Sequence, residues 1–287
     1  MTALTRVPVG DLVLDVVDLG PRDAETVLLL HGFPQSSWEW RAIWPALLEA
    51  GYRVVAPDQR GYSPGARPDG VEAYRMTELV GDALGLLDAL EVPQAHVVGH
   101  DWGAAVAGHL AGRRPGRLRS LTAVSVPHPA AFGAALRSDP DQRERSQYML
   151  AFNEPDAESR LLADGAAWLR SGFGALPDAD VYVRRMQEPG ALTAGLNWYR
   201  AQTIGMRDPL PAVTVPTLYV WSDGDVALGP VPAAATASHV DGPYRFEVLH
   251  GVSHWVPEEA PEQLVALLLE HLRTVAAQPA SQPTGGS

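Results

Sequence analysis

Short apolar runs alternate with amphipathic segments along most of the chain. Many of the runs are rich in β-branched and aliphatic residues, and several, such as TVLLL and RVVAP, show no polar alternation. Such runs are typical of strands that are buried on both faces of a mostly parallel sheet. We therefore predict strands at residues 12–18, 26–30, 53–57, 96–99, 120–126, 217–221 and 244–249.

Helical patterns lie between the predicted strands. Apolar side chains share one helical face in residues 75–90, and residues 261–275 repeat this pattern. The alternation of strands and helices predicts a wound α/β domain, with helices flanking a mostly parallel sheet. It stops between about Pro127 and Pro211, where the composition is rich in Arg, Ala, Trp and Tyr.

A helical insert in one α/β core explains this interruption. We predict a core of residues 1–126 and 212–276 and a helical lid of residues 127–211. Because ligands bind at the carboxyl edge of such sheets, a lid that emerges there is expected to cover the active site. Residues 277–287 are small, polar and rich in Pro and Gly, which predicts a disordered tail.

The composition excludes several kinds of chemistry. The 287 residues include no Cys, so disulfides, zinc–thiolate sites and cysteine nucleophiles are excluded. All 22 basic residues are Arg, which also excludes a Schiff-base or P-loop lysine. We expect neither a metal nor a cofactor, and the oligomeric state cannot be read from the sequence.

The charge and the first residues bear on partners and location. A formal net charge of −12 would repel phosphate backbones, so we expect no nucleic-acid partner. The N-terminal stretch lacks the apolar core of a secretory signal, and no stretch approaches the length of a membrane span. We therefore expect a cytoplasmic enzyme without a membrane partner.

The stretch GHDWG at residues 99–103 carries the main chemical signal. It lies between a predicted strand and a predicted helix, so Asp101 is placed on a sharp strand-to-helix turn. Gly99 and Gly103 leave room for a tight turn. Asp101 is either the cap of the helix or a nucleophile. An ionised Asp can attack a saturated carbon and form an alkyl–aspartyl ester, which water then hydrolyses.

Five features occur in an order that resembles the epoxide hydrolases of the α/β-hydrolase fold. They are HGFPQSSWEWR, GHDWGAA, YMLAFNEP, LNWYR and the pair SDGD and GVSHW. Haloalkane dehalogenases are near relatives of that family. The resemblance implies an α/β-hydrolase fold with an inserted lid, and it favours Asp101 as the nucleophile.

The resemblance also assigns the base and the acid of a catalytic triad. It implies that His254 activates the water and that Asp225 orients His254, which agrees with the usual chain order of nucleophile, acid and histidine. His250 is the main rival of His254, and Asp223 is the rival of Asp225. His250 is interpreted as a residue at a strand end, and Asp223 as part of an Asp–Gly turn.

The loop that begins at His31 is expected to complete the site. In the family that this chain resembles, the backbone N–H groups of Phe33 and Trp102 would form an oxyanion hole. The peptide bond between Phe33 and Pro34 is expected to be cis. We further expect His31, Pro34, Trp102 and Trp198 to line the substrate pocket.

The leaving group depends on the lid. Tyr148 and Tyr199 match the positions of the two proton-donating tyrosines of epoxide hydrolases, and a phenol can donate to a developing alkoxide. The alternative is that Tyr148 and Tyr199 only pack the lid against the core. We expect such a structural role for Tyr182 and Tyr244. The sequence thus predicts a cofactor-independent epoxide hydrolase that forms vicinal diols from small hydrophobic epoxides and water.

Two other functions stay open at this point. A haloalkane or haloacid dehalogenase would use the same Asp101, and Trp102 is shared with haloalkane dehalogenases, where it binds halide. Their second halide ligand is often an Asn at the position of Phe33, which has no side-chain donor. An inactive binding protein would not need Asp101, Asp225 and His254 together, and a serine hydrolase is opposed by the lack of any G-x-S-x-G.

Overall fold

An eight-stranded sheet runs through the part of the chain that the computed structural model describes, which is residues 4–174, 176–202 and 210–277. The strand order is β1-β2-β4-β3-β5-β6-β7-β8. Strand β2 is antiparallel to both of its neighbours, and all pairings from β4 to β8 are parallel. The strands are β1 Thr5–Val9, β2 Leu12–Leu19, β3 Thr26–Leu30, β4 Arg53–Asp58, β5 Ala95–His100, β6 Leu118–Val124, β7 Thr217–Ser222 and β8 Tyr244–Leu249.

The predicted α/β class is confirmed, and each predicted strand is present with ends that differ by at most two residues. Strand β6 ends before the predicted Val126 because Ser125 has a φ of 67°, a left-handed conformation that strands do not contain. Strand β1 was not predicted. It contains Arg6 and Pro8, and a proline within a short run argues against a strand except at a sheet edge, where β1 lies.

Both predicted amphipathic helices are present, and the remaining helices follow the strands as a wound fold requires. The α-helices are α1 Trp44–Glu49, α2 Met76–Ala89, α3 Trp102–Arg113, α4 Pro129–Ser138, α5 Pro140–Arg145, α6 Gln147–Ala151, α7 Ala157–Gly172, α8 Ala179–Met186, α9 Ala191–Ala201, α10 Pro230–Ala235, α11 Val256–Glu259 and α12 Pro261–Ala276. Short 3-10 helices are Ser37–Ala42, Pro64–Ala66, Val71–Tyr74, Pro115–Arg117 and Thr236–His239.

Strand β3 shows how the sheet separates two apolar layers. Leu28 and Leu30 point into a layer with α2, α3 and the helices between β6 and β7. Val27 and Leu29 point into the opposite layer with α1 and α12. Successive side chains of a strand face opposite sides of the sheet, so a continuous apolar run supplies both layers.

The described residues between β6 and β7 form helices α4 to α9 and contain no strand, as a helical lid requires. Helix α8 is tied to the core by an ion pair between Arg185 and the buried Asp58 and by a hydrogen bond from Tyr182 to Glu258. Trp198 of α9 donates a hydrogen bond to the carbonyl oxygen of Arg60 at 3.0 Å. The boundaries of the core and lid stay a prediction.

The predicted tail lies outside the described residues, apart from its first residue, Ala277. None of the helices in the described ranges has both the length and the apolar character needed to cross a membrane.

Candidate active site

Asp101 occupies the sharp turn between β5 and α3. Its backbone has φ 51° and ψ −122°, and its side chain makes no capping hydrogen bond to the helix. The interpretation of Asp101 as a helix cap therefore finds no support in the geometry. Such a backbone costs about 1–3 kcal/mol and persists where the surroundings enforce it. A Cβ on Gly103 would lie 2.0 Å from the carbonyl oxygen of Leu30, and one on Gly32 would lie 2.3 Å from the Cβ of Asp101.

The carboxylate of Asp101 is held at both oxygens. Oδ1 accepts a hydrogen bond from the backbone N–H of Phe33 at 2.8 Å. Oδ2 lies 3.5 Å from Nε2 of His254. Burial opposes the charged form, but His254, His100 and the Phe33 N–H outweigh it and hold the pKa of Asp101 below its ordinary value. The carboxylate is therefore ionised at neutral pH.

His254 bridges the two aspartates. Its Nδ1 lies 2.8 Å from Oδ2 of Asp225. The other oxygen of Asp225, Oδ1, accepts the N–H groups of Ala227 at 2.8 Å and Leu228 at 3.0 Å, so this carboxylate is fixed in orientation. Burial disfavours the imidazolium, but the carboxylates of Asp225 and Asp101 outweigh burial and raise the pKa of His254 to about 10.

The two rival residues pair with each other instead. Nδ1 of His250 lies 2.7 Å from Oδ2 of Asp223, and the two side chains are 81% and 42% exposed. Oδ1 of Asp223 accepts the N–H of Gly251 at 2.8 Å. This pair lies on the surface in the loops after β7 and β8, so solvent screens its charges.

Tyr148 on α6 and Tyr199 on α9 bring two phenols to the carboxylate. Their ring centroids lie 6.2 Å apart at an angle of 77°. Burial raises the pKa of both residues; the charge of Asp101 adds to this effect, so both hydroxyls stay protonated. The neighbouring Trp102 opposes the rise in the pKa of Tyr199.

Two cavities meet at these side chains. The smaller has a volume of about 130 Å³ and is lined by Pro34, His254, Phe33 and others. The larger has a volume of about 390 Å³, and Trp102 contributes to its wall. Three residues line both cavities: Asp101, Tyr148 and Tyr199.

His31 and Trp198, also expected in the pocket, do not line either cavity among the described residues. The His31 ring is completely buried, with Nδ1 2.9 Å from the carbonyl oxygen of Gly32 and Nε2 accepting the N–H of Gln59 at 3.0 Å. Trp198 is completely buried behind Trp102, with their ring centroids 5.9 Å apart. Both residues therefore support the site from behind rather than contact its cavities.

The Phe33–Pro34 peptide bond is cis, as expected. The Phe33 N–H reaches Oδ1 of Asp101, so one of the two expected oxyanion donors faces this carboxylate. Trp102, the other expected donor, directly follows Asp101 at the start of α3.

Several residues at the site were not identified from the sequence. Phe152 lines the smaller cavity and makes edge-to-face contacts with Phe33, Tyr148 and Tyr199. Trp255 lines the same cavity, and its position next to His254 is a signal that could have identified it. Phe152 lies one helical turn after Tyr148, which is the spacing for a shared face.

A buried pair next to His254 was not identified from the sequence either. Nε2 of His100 lies 3.0 Å from the backbone carbonyl oxygen of His254, and Nδ1 lies 3.2 Å from Oε2 of Glu39. Ser125 also donates to that carbonyl oxygen at 3.0 Å. These contacts fix the backbone of His254. Within the described ranges, no group of His, Asp and Glu side chains is arranged as a metal site.

Comparisons with known proteins agree with this architecture. A family model described as the alpha/beta hydrolase fold matches residues 25–261. Epoxide hydrolase B of Mycobacterium tuberculosis (strain ATCC 25618 / H37Rv) is 44% identical, over 92% of this chain and 96% of that protein. The AB hydrolase superfamily protein YfhM of Bacillus subtilis (strain 168) is 37% identical, over 91% and 95%.

A solved structure gives the same result. The crystal structure of epoxide hydrolase A from Mycobacterium thermoresistibile superposes with a TM-score of 0.83 at 32% identity, over 95% of this chain and 98% of that chain. The chain therefore belongs to the α/β-hydrolase-fold family, within its epoxide hydrolase branch.

Proposed function

We propose that this chain hydrolyses epoxides to vicinal diols through an ester on Asp101. The observation that carries the proposal is the shared lining of both cavities by one ionised carboxylate and two protonated phenols. A carboxylate alone suits several leaving groups, whereas paired O–H donors suit an oxygen that becomes an alkoxide. The relatives that are named epoxide hydrolases support the same reaction.

The first step opens the ring. Oδ2 of Asp101 attacks an epoxide carbon, because Oδ1 is engaged by the Phe33 N–H. The carbon–oxygen bond of the ring breaks, and its electron pair stays on the epoxide oxygen. Tyr148 and Tyr199 bind this oxygen, and one of them transfers its proton. The products are a hydroxyalkyl ester of Asp101 and a tyrosinate.

The second step hydrolyses the ester. His254 takes a proton from water, which attacks the ester carbonyl carbon, and Oδ1 of Asp101 carries the oxyanion next to the Phe33 N–H. The bond between the carbonyl carbon and Oδ2 then breaks, so the diol carries the former Oδ2 and Asp101 keeps the oxygen of the water. The departing alkoxide takes the proton of the incoming hydroxyl. The charge of Asp101 returns, and His254 keeps the proton that it took from water, so the free enzyme is restored.

Ester formation changes the basicity of His254. In the free enzyme two carboxylates raise its pKa to about 10, which favours the imidazolium. The ester removes the charge of Asp101, and only Asp225 remains to stabilise the protonated ring. The pKa of His254 therefore falls when the ester forms, its proton passes to the tyrosinate, and the neutral ring becomes available as the base for the second step.

Dehalogenation is the alternative reaction. It would need N–H donors directed at a halide, and Trp102 supplies an indole N–H in the larger cavity. The indole of Trp102 packs edge-to-face with the Tyr199 ring, with the ring centroids 4.9 Å apart, and the Phe33 side chain has no donor. An inactive binding protein would not need the Asp225–His254–Asp101 contacts. The geometry thus favours the epoxide reaction over both.

The test is to incubate the protein with aryl and alkyl epoxides and, in parallel, with haloalkanes. Diol formation without halide release supports the proposal, and halide release with inert epoxides overturns it. The His254→Gln variant should accumulate the ester, seen as an intact-mass increase equal to the substrate. The same variant with Asp101→Ala is the matched control and should show no adduct.

The apolar walls of both cavities support a hydrophobic substrate. A cytoplasmic location and the absence of nucleic-acid or membrane partners stay predictions from the sequence.

A further inference from the structure

The larger cavity carries a polar side chain that the proposed reaction does not use. His109 on α3 is 3% exposed and lines this cavity of about 390 Å³. Its Nδ1 is buried and has no hydrogen-bond partner among the residues that the structure describes. Buried polar groups in native proteins are nearly always paired, so an unpaired one beside a cavity calls for an explanation.

The helix places His109 at a defined depth. Trp102, Ala105 and His109 follow one another at the spacing of a single helical face, and all three line the cavity. With the rise of an α-helix, His109 lies about 10 Å further along α3 than Trp102. Asp101 directly precedes Trp102, so the cavity extends along the helix from the nucleophile towards His109.

The wall between these two positions is largely apolar. Its other non-catalytic polar side chains have partners within the chain: Asn153 donates to the carbonyl oxygen of Met149 at 2.7 Å, and Gln202 donates to that of Trp198 at 3.0 Å. Among these side chains, His109 is therefore the one whose hydrogen-bonding capacity is not used within the described part of the chain. The apolar side chains of the wall include Met76, Val126, Phe132, Leu136 and Leu228.

The charge state of His109 selects a neutral ligand group. Burial, and then the positive charge of Arg113, lower the pKa of His109 to about 4, so the ring is uncharged at neutral pH. A neutral imidazole offers one donor and one acceptor, which matches a hydroxyl. The described residues of the cavity wall include no Arg, so a carboxylate there would be buried without a counter-charge.

We propose that His109 is a specificity-determining residue that binds a hydroxyl group at the far end of an apolar epoxide substrate. This inference rests on the proposed function and adds the substrate class to it. The substrate is an epoxide at one end of a hydrocarbon chain, with a neutral hydroxyl about 10 Å away, the distance that the helix rise sets. A substrate with a methyl group there would leave His109 unpaired.

The experiment compares two substrates in each enzyme preparation: the epoxide of a terminal decene and its ω-hydroxy derivative. The wild type should prefer the hydroxy derivative by about tenfold in kcat/KM, the size of one net hydrogen bond. His109→Phe should lose this preference, and His109→Gln, which keeps a donor and an acceptor, should retain much of it. Both kcat/KM values are measured in the same preparation. A fraction of misfolded enzyme therefore lowers both values equally and does not change their ratio.

Leu136→Met is the matched control. It changes the shape of the same wall without changing hydrogen-bonding groups, so both substrates should be affected alike and the preference should persist.

Two kinds of failure can be told apart. Equal kcat/KM values in the wild type, or a preference that survives His109→Phe, overturn the role of His109 and leave the proposed function intact. If aryl epoxides are hydrolysed and both decene epoxides are not, the assigned substrate class is wrong. If no epoxide of any kind reacts and His254→Gln forms no adduct, the proposed function itself fails.

Discussion

The carboxyl group of Glu39 lies 3.2 Å from Nδ1 of His100, and both side chains are completely buried. Nε2 of His100 faces the carbonyl oxygen of His254, which can only accept, so Nε2 carries the proton. Burial and the nearby His254 lower the pKa of His100 to about 4, so its ring is neutral and Nδ1 must accept. Burial, with the charges of Glu258 and Asp101, raises the pKa of Glu39 well above its usual value. Glu39 is therefore a protonated acid that donates to His100.

Glu39→Gln is predicted to keep this arrangement, because a neutral amide can donate to Nδ1 of His100 in place of the acid. Activity should stay within about threefold of the wild type. Glu39→Ala leaves a cavity and a buried acceptor without its donor, which should destabilise the fold by about 1–3 kcal/mol. Thermal unfolding and steady-state kinetics on both variants check this. Equal losses in the two variants would contradict the proposed protonation.

The same proton makes stability depend on pH. Because the folded state raises the pKa of Glu39, the stabilisation from its protonated form is fully present below the unfolded pKa of about 4.3 and is lost as the pH rises towards the folded pKa. Glu39→Gln has no such proton to bind. The Tm of Glu39→Gln minus the Tm of the wild type should therefore increase as the pH is raised from about 5 to about 8. A difference that does not vary with pH would show that Glu39 is not protonated on folding.

The fold and the turn at Asp101 could be predicted because their signals are local, whereas the choice of His254 and Asp225 depended on the resemblance to epoxide hydrolases. Buried parallel strands give continuous apolar runs, and the turn at Asp101 lies between one such strand and a helix. Glu39 and His100 could not be paired in the same way, since they are distant in sequence and only the packed sheet brings them together. The unpaired Nδ1 of His109 is likewise a property of packing that no sequence pattern carries.

Trp198 and Tyr199 are neighbours on α9, and neighbouring residues of an α-helix point about 100° apart. Tyr199 faces the larger cavity, whereas the indole N–H of Trp198 is directed towards the carbonyl oxygen of Arg60. This difference comes from the packing of α9 and not from helix geometry alone, because consecutive residues such as Tyr148 and Met149 line one cavity together.

Asp225→Asn tests the orientation of the base. The change removes the carboxylate that binds Nδ1 of His254, so the base loses its fixed orientation and its pKa falls. Hydrolysis of the ester should slow by at least about a hundredfold, as for other triads that lose the acid. Ring opening should be affected less, so the ester should accumulate during turnover and appear by intact-mass spectrometry.

Asp223→Asn is the matched control for Asp225→Asn. It removes the same carboxylate chemistry from the exposed pair with His250, so kcat should stay within about twofold of the wild type. If Asp223→Asn caused the larger loss, the assignment of Asp225 would be wrong.

The two lid tyrosines are tested most directly in the His254→Gln background, where the reaction stops at the ester and only ring opening is observed. Tyr148→Phe and Tyr199→Phe should each slow ester formation by about tenfold to a hundredfold, and the double change should abolish it, because the alkoxide then has no O–H donor. Tyr244→Phe is the control: its buried hydroxyl has no hydrogen-bond partner among the described residues, and its loss should leave the rate unchanged. Ester formation at the parental rate in the double variant would show that Tyr148 and Tyr199 only pack the lid. The choice between an epoxide and a halide would then rest on Trp102 alone.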